Sequence, residues 1–303
     1  RALAAQQRWD EALGAFSLIE HPERCESTGL RELAHAAREA HEELLTQMVL
    51  EARLKIPTDE ADALRELIPL EIAAGRDAQA EQHARRLQEI APRDPDGWSL
   101  AGRLHHEQGR IGPAIADYRA ALERCSPTDA RSRELRSELV PLLMHAGLRE
   151  EARQELDHVL DEGKPDLLTQ LQQVSLLRQE GRPDEAERVL TDIRKNSPDE
   201  PRALLLQGLL ALDRGHPREA IAPLERALEV QPRNKEAHYK LAEALDGIGE
   251  AEAATRHRHE SRRLTDLSLR LLQVRRQLEL SPDDARLREE LSRLLAELRN
   301  PPR

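Results

Sequence analysis

Residues 98–127 read WSLAGRLHHEQGRIGPAIADYRAALERCSP, a segment with Gly109 near its middle and Pro127 at its end. Ala114 follows Gly109 by five residues. The same interval recurs at Gly75/Ala80, Gly147/Ala152, Gly181/Ala186, Gly215/Ala220 and Gly249/Ala254, and from Gly75 onward the glycines are 34, 38, 34, 34 and 34 residues apart. A fixed period of this size marks a stacked repeat array, in which each unit contacts its neighbours. Each piece has a physical role. Gly109, Gly181 and Gly215 are placed to end a first helix in a left-handed conformation that glycine adopts cheaply. Gly102 and Gly208 allow that helix to approach its partner closely, and Ala114, Ala186 and Ala220 mark where the second helix meets the first. Pro92, Pro198 and Pro232 stop the second helices.

Trp98, Gly102, Ala114 and Tyr118 match in kind and spacing the pattern W-x2-L-G-x2-Y followed by A-x3-F and P, so the segment resembles the tetratricopeptide repeat. His105 stands where that pattern has Tyr, and Pro127 comes one residue late. The resemblance implies an all-α fold, a right-handed α-solenoid of stacked helix-turn-helix repeats. It also implies a concave groove lined by the first helices, which commonly holds peptide segments.

Working outward, residues 201–234 and 167–200 carry the pattern in register, whereas 61–94 is weaker, with Glu71 where an aromatic is usual. The four extra residues at 126–132 lengthen a turn between repeats. Ser197-Pro198-Asp199-Glu200 reads as a capped helix start with Ser at the N-cap. Pro69 and Pro141 occupy the same place in their units; each removes a helical hydrogen bond, frees a carbonyl near residue 65 or 137, and predicts a local kink. Residues 1–60 are expected to hold partial and divergent helical repeats. Trp9 to Ile19 looks like a second helix whose first is missing or cut short, and 30–55 is either a glycine-less hairpin, the preferred reading, or one long helix. Residues 61–249 form the regular core. Residues 250–303 carry a long helix over 250–279, about 45 Å at roughly 1.5 Å per residue, and a C-terminal capping helix. Leu264, Leu267, Leu271, Val274 and Leu278 make a heptad seam that Leu287, Leu291, Leu294 and Leu298 repeat after the turn at Ser281–Asp284. Pairing within the chain, forming a helical hairpin cap, is favoured over a dimer through 264–298.

Composition agrees. Of 303 residues 39% are hydrophobic, 34% charged and 2% aromatic, as helices packed through small and aliphatic side chains require. The formal net charge of −11 argues against nucleic acid as main partner, because counterion release needs a basic surface. The exception is 256–276, where seven arginines stand against only Glu260 and Asp266, and which reads as a solvated face or one that pairs with the acidic array rather than as a polyanion site. Cys25 and Cys125 read as thiols, and no apolar run approaches the roughly 20 residues that span a bilayer. No catalytic motif is present, and the twelve histidines lack chelating spacing, so neither enzyme chemistry nor a cofactor or metal is expected.

The resemblance places positions 2, 5, 9 and 12 of each unit in the groove. In the last three units these are Leu168, Leu171, Ser175, Arg178, then Arg202, Leu205, Leu209, Leu212, then Glu236, Tyr239, Glu243, Asp246. Leu168, Leu171, Leu205, Leu209, Leu212 and Tyr239 would form an apolar floor with an acidic rim. The helix at 203–212 is apolar nearly all round, so it is covered either by a partner or by the protein's own neighbouring helices. The Lys/Asn/Arg set with which some family members clamp a C-terminal carboxylate is absent from these positions. The expected function is a protein–protein interaction scaffold that takes a peptide or helical segment of a partner. The alternative is a regulatory or targeting arm of a larger enzyme or secretion machine, suggested by the start at Arg1 inside a repeat. That start leaves export open, with the cytoplasm slightly favoured.

Overall fold

The computed structural model describes residues 2–19, 21, 24–126, 129–161, 163, 165–281 and 284–299, and these are α-helical, with no strand among the described residues. The molecule is an all-α solenoid of helical hairpins that divides into two compact units, 1–135 and 136–303. Pro127, the late proline of its unit, and Pro282 and Asp283 within the turn read at Ser281–Asp284 lie outside the described residues.

Unit 1 begins with α1 (Ala2–Ala5) and α2 (Trp9–Ser17), followed by α3 (Ser27–Glu39) and α4 (Glu43–Arg53). Residues 30–55 are therefore a hairpin. Its turn residue His41 has φ +61 and lies 34 residues before Gly75; Gln7, another 34 before, has φ +57. The left-handed position thus recurs where the glycine spacing is no longer visible, and Ala12 and Thr46, five residues on, are buried like the later alanines. The regular hairpins follow as α5 (Glu60–Ala74) with α6 (Asp77–Ile90) and α7 (Asp96–Glu107) with α8 (Ile111–Leu122). Ion pairs run through this unit. Arg53, 1% exposed, donates to Asp59 at 2.8 Å and to Glu66 at 2.8 Å, and Arg31 pairs with the same Asp59. Burial works against the Asp59 carboxylate, but hydrogen bonds from Arg53 and Arg31 outweigh it and hold the pKa below the usual range. Arg65 bridges Asp62, Asp94 and Asp96. Arg124 stacks 3.6 Å over the Trp98 ring, which explains that tryptophan without a ligand.

Unit 2 takes up the chain within α9 (Ala130–His145) and continues through α10 (Arg149–Asp161), α11 (Leu167–Gln179), α12 (Pro183–Asn196), α13 (Pro201–Asp213), α14 (Pro217–Val230) and α15 (Lys235–Gly247). α16 (Ala251–Leu280) and α17 (Ala285–Arg299) close it. Gly208 sits where a Cβ would lie 2.5 Å from Leu224 Cγ, so the α13–α14 contact requires glycine. α5 and α9 both run unbroken through Pro69 and Pro141. The carbonyl freed at Ser137 is taken by Gln172 Nε2 at 2.6 Å, a bond from α11 back to α9. The expected cap at Ser197 is corrected. Ser197 is the C-cap of α12, a turn closes from Glu200 N–H to Ser197 O, and α13 starts at Pro201 with Glu200 as its N-cap. A second proline three residues on takes the first helical position, where its missing N–H costs nothing. The C-terminal seam forms within the chain: Leu267, Leu271, Val274 and Leu278 pack against Leu287, Leu291, Leu294 and Leu298.

Candidate functional site

The candidate face lies on the first helices of unit 2, and local signals set each helix start. Asp166 Oδ1 accepts from Thr169 N–H at 2.8 Å to begin α11, and Asn234 Oδ1 accepts from Ala237 N–H at 3.0 Å to begin α15. Starts fixed in this way set the rotation of each helix, and so which residues face inward.

Leu171, Leu205 and Leu209 are buried among Val174, Leu206, Leu224 and Leu241 in one continuous core, with Leu212 half-buried against it. Neighbouring helices of the chain itself therefore cover α13 on most sides, and these leucines support the face rather than form its surface. Aspartate at 205 or 209 would place a charge in the core and unfold the unit, so such variants report on folding and not on binding. What remains open to a ligand is Leu168, 40% exposed, the outer part of Leu212, and Tyr239, 54% exposed. Arg178 is half-buried and donates from Nη1 to Asp213 at 2.9 Å, joining α11 to α13. Glu243 is exposed and held by Lys240 at 2.9 Å; Asp246 is held by Arg258, while Arg202 and Glu236 stand exposed. Lys240 Nζ also lies 5.5 Å from the Tyr239 ring centroid.

The back of α15 is pinned to α16. His238 Nε2 lies 3.0 Å from the Pro232 carbonyl, which only accepts, so that nitrogen carries the proton and His238 Nδ1 accepts from His257 Nδ1 at 2.9 Å. Burial first, then His238 and Arg256, push the His257 pKa below its ordinary 6.5. Ser261 Oγ donates to Lys235 O at 2.9 Å beside it. These contacts fix α15, and with it the orientation of Tyr239. The His238–His257 pair does not follow from the repeat pattern, because it depends on how α16 packs. Among the described residues no cluster of three metal-ligating side chains occurs, and no helix is long and apolar enough to cross a membrane.

The family model of the tetratricopeptide repeat matches residues 65–130, 171–215 and 205–255. The chain belongs to the tetratricopeptide repeat family. Similar solved structures include a tetratricopeptide repeat protein from Parabacteroides merdae ATCC 43184, at 15% identity and TM-score 0.67, covering 89% of this chain and 98% of that one. The Cut9–Hcn1 hetero-tetramer of the APC/C matches at 14% identity and TM-score 0.59, covering 95% of this chain and 52% of that one. PilW, a widely conserved type IV pilus biogenesis factor, matches at 15% identity and TM-score 0.56, covering 76% and 98%. At such identities the likeness is one of fold. No curated protein matches the chain. The tetratricopeptide repeats support a protein-interaction role, and proteins of this kind are typically non-enzymatic scaffolds.

Proposed function

We propose that this tetratricopeptide repeat protein is a scaffold that holds a peptide or helical segment of a partner against the first-helix face of unit 2. The observation that carries this reading is Tyr239. Of the five aromatic residues in the chain, Phe16 and Tyr118 are buried, Trp9 and Trp98 are half-buried, and Tyr239 alone is exposed. It is 54% exposed on a helix pinned from behind. A rigid, half-open tyrosine gives large contact area at low entropic cost, as binding hot spots do. Leu168 and Leu212 extend the apolar contact, and Glu236 and Glu243 favour a basic residue beside the apolar anchor of the bound segment.

The test begins with a displayed peptide library selected on the full chain, with affinities of the selected peptides then measured by calorimetry. Tyr239→Ala is expected to weaken binding by about 2 kcal/mol or more, roughly thirtyfold, while Leu44→Ala, an exposed leucine of unit 1, leaves it unchanged. Unaltered affinity in folded Tyr239→Ala and Leu168→Ala proteins would sink the proposal.

A further inference from the structure

The long helix α16 carries two stripes with the same 3-4-3-4 spacing. One is the leucine seam against α17. The other runs Arg262, Thr265, Leu269, Leu272, Arg276 and lies on the opposite side, about half a turn away at 100° per residue. Leu269 is 53% and Leu272 58% exposed, so no described residue buries them. The arginines of α16 fall into two sets. Arg258 pairs with Asp246, Arg263 with Glu260 and Glu297, and Arg270 with Glu290. Arg256, Arg262, Arg275 and Arg276 are exposed and have no ionic partner among the described residues. The matched set is satisfied by α15, α17 and α16 itself, whereas three of the four unmatched arginines, Arg262, Arg275 and Arg276, lie within one heptad of the exposed leucines.

We propose that this second stripe is a docking face for an acidic amphipathic helix of a partner protein, its apolar side chains on Leu269 and Leu272 and its carboxylates on Arg262 and Arg276. The two arginines stand one heptad before and one heptad after Leu269, about 21 Å apart along the axis at 1.5 Å per residue. That spacing is met by carboxylates two heptads apart on a facing helix. Charge complementarity selects this occupant. A second copy of the chain would bring one stripe of unmatched arginines against another, and two leucines a side fall far short of the roughly 800 Å² per partner of a stable interface. An anionic membrane is opposed by the net charge of −11 and by a seam already filled by α17. The face shares no residue with the Tyr239 surface, so either proposal can fail without the other.

The probe is a synthetic helix of about three heptads, with leucines at 3-4 spacing flanked by glutamates, labelled for fluorescence anisotropy and titrated with the full chain. The comparison peptide carries lysines in place of the glutamates. The glutamate peptide is expected to bind, more weakly as salt rises, and the lysine peptide not to bind. Leu269→Ser with Leu272→Ser, or Arg262→Glu with Arg276→Glu, should each weaken binding at least about tenfold, ~1.4 kcal/mol. The arginine reversal should also confer binding of the lysine peptide, and Tyr239→Ala should change nothing. All four substituted side chains are exposed or unpaired, so helicity and melting should stay at wild-type values. The proposal is overturned if the wild-type chain ignores the glutamate peptide, or if folded variants bind it unchanged. A doubled solution mass that the leucine variant abolishes, or a preference for phosphatidylserine vesicles over the peptide, would overturn it as well.

Discussion

The same slot is filled by charge in the two regular hairpins of unit 1, α5–α6 and α7–α8, and by hydrocarbon in two hairpins of unit 2, α11–α12 and α13–α14. Four residues before the turn glycine and eight after it, α5 and α6 place Glu71 against His83 at 3.0 Å, and α7 and α8 place His105 against Asp117 at 2.6 Å. In α11–α12 and α13–α14 of unit 2 the corresponding pairs are Leu177 with Val189 and Ala211 with Pro223, packed in or against the core, while α9–α10 and α15–α16 mix the two chemistries as Leu143 with Glu155 and Leu245 with His257. The repeat needs contact at this slot and is indifferent to its chemistry. Charge there carries a desolvation cost and brings directional, mutually dependent partners, while hydrocarbon is tolerant. α5 to α8 of unit 1 thus read as a braced segment, and α11 to α14 of unit 2 as a leucine-packed one next to the exposed Tyr239.

The largest break in this contrast should come from Asp59→Ala. It leaves the buried Arg53 with Glu66 alone and should cost about 3–5 kcal/mol in urea unfolding. Arg226→Ala in unit 2, which removes the exposed pair with Asp199, should be nearly silent. Equal losses would show that unit 1 does not depend on its ion pairs.

Next comes Gly208→Ala. A Cβ at 2.5 Å from Leu224 forces overpacking worth about 1–3 kcal/mol. Gly102→Ala in unit 1, where the Tyr118 ring stands 3.1 Å away, should cost less. The reverse order in thermal melts would contradict the packing described.

A smaller effect sharpens the divergent end of unit 1. His41 holds a left-handed conformation that Gly75 holds without strain. His41→Gly should stabilise by about 0.5–1 kcal/mol after glycine's extra unfolded freedom is subtracted, and destabilisation would mean that the His41 side chain contributes more than its backbone strain costs.

The smallest effect is in pH, and its sign differs between the units. A hydrogen bond to Glu71, opposed by burial, raises the His83 pKa above its ordinary 6.5. Its contribution is complete below 6.5 and is lost as pH rises through the raised value. The depressed His257 contributes above 6.5, and that stability is lost as pH falls through the lowered value. Hydrogen exchange from about pH 5 to about pH 8 should loosen α15–α16 at the acid end and α5–α6 at the alkaline end. Glu71→Leu with His83→Val, which imports the residues of unit 2, should remove the alkaline loosening. Parallel trends in both units would refute this.

The repeat was legible because glycine, small residues and proline each do a backbone task that few other residues do. Six turn glycines with φ between +69 and +89, each followed five residues later by a fully buried alanine, fix the hairpins from Gly75 to Gly249. Beyond them the backbone keeps the period while the sequence does not, as His41 and Gln7 show, since a left-handed residue can be tolerated without being glycine. The face was less legible. Position in the unit placed Leu168, Leu212, Tyr239 and Glu243 on exposed or half-exposed ground, but could not separate them from Leu171, Leu205 and Leu209, because depth depends on the neighbouring helices. The arginines of α16 were legible in the sequence but its second stripe was not, because which arginines find partners and which leucines stay exposed is set by how α15 and α17 pack on it.

The central claim is that ligand contact belongs to unit 2. Hydrogen–deuterium exchange of the full chain with and without a library-selected peptide tests it most directly. Slowed exchange in α13 and α15 with α5 to α8 unchanged is the expected result. Slowing confined to α5 to α8, with α13 and α15 unchanged, would contradict it.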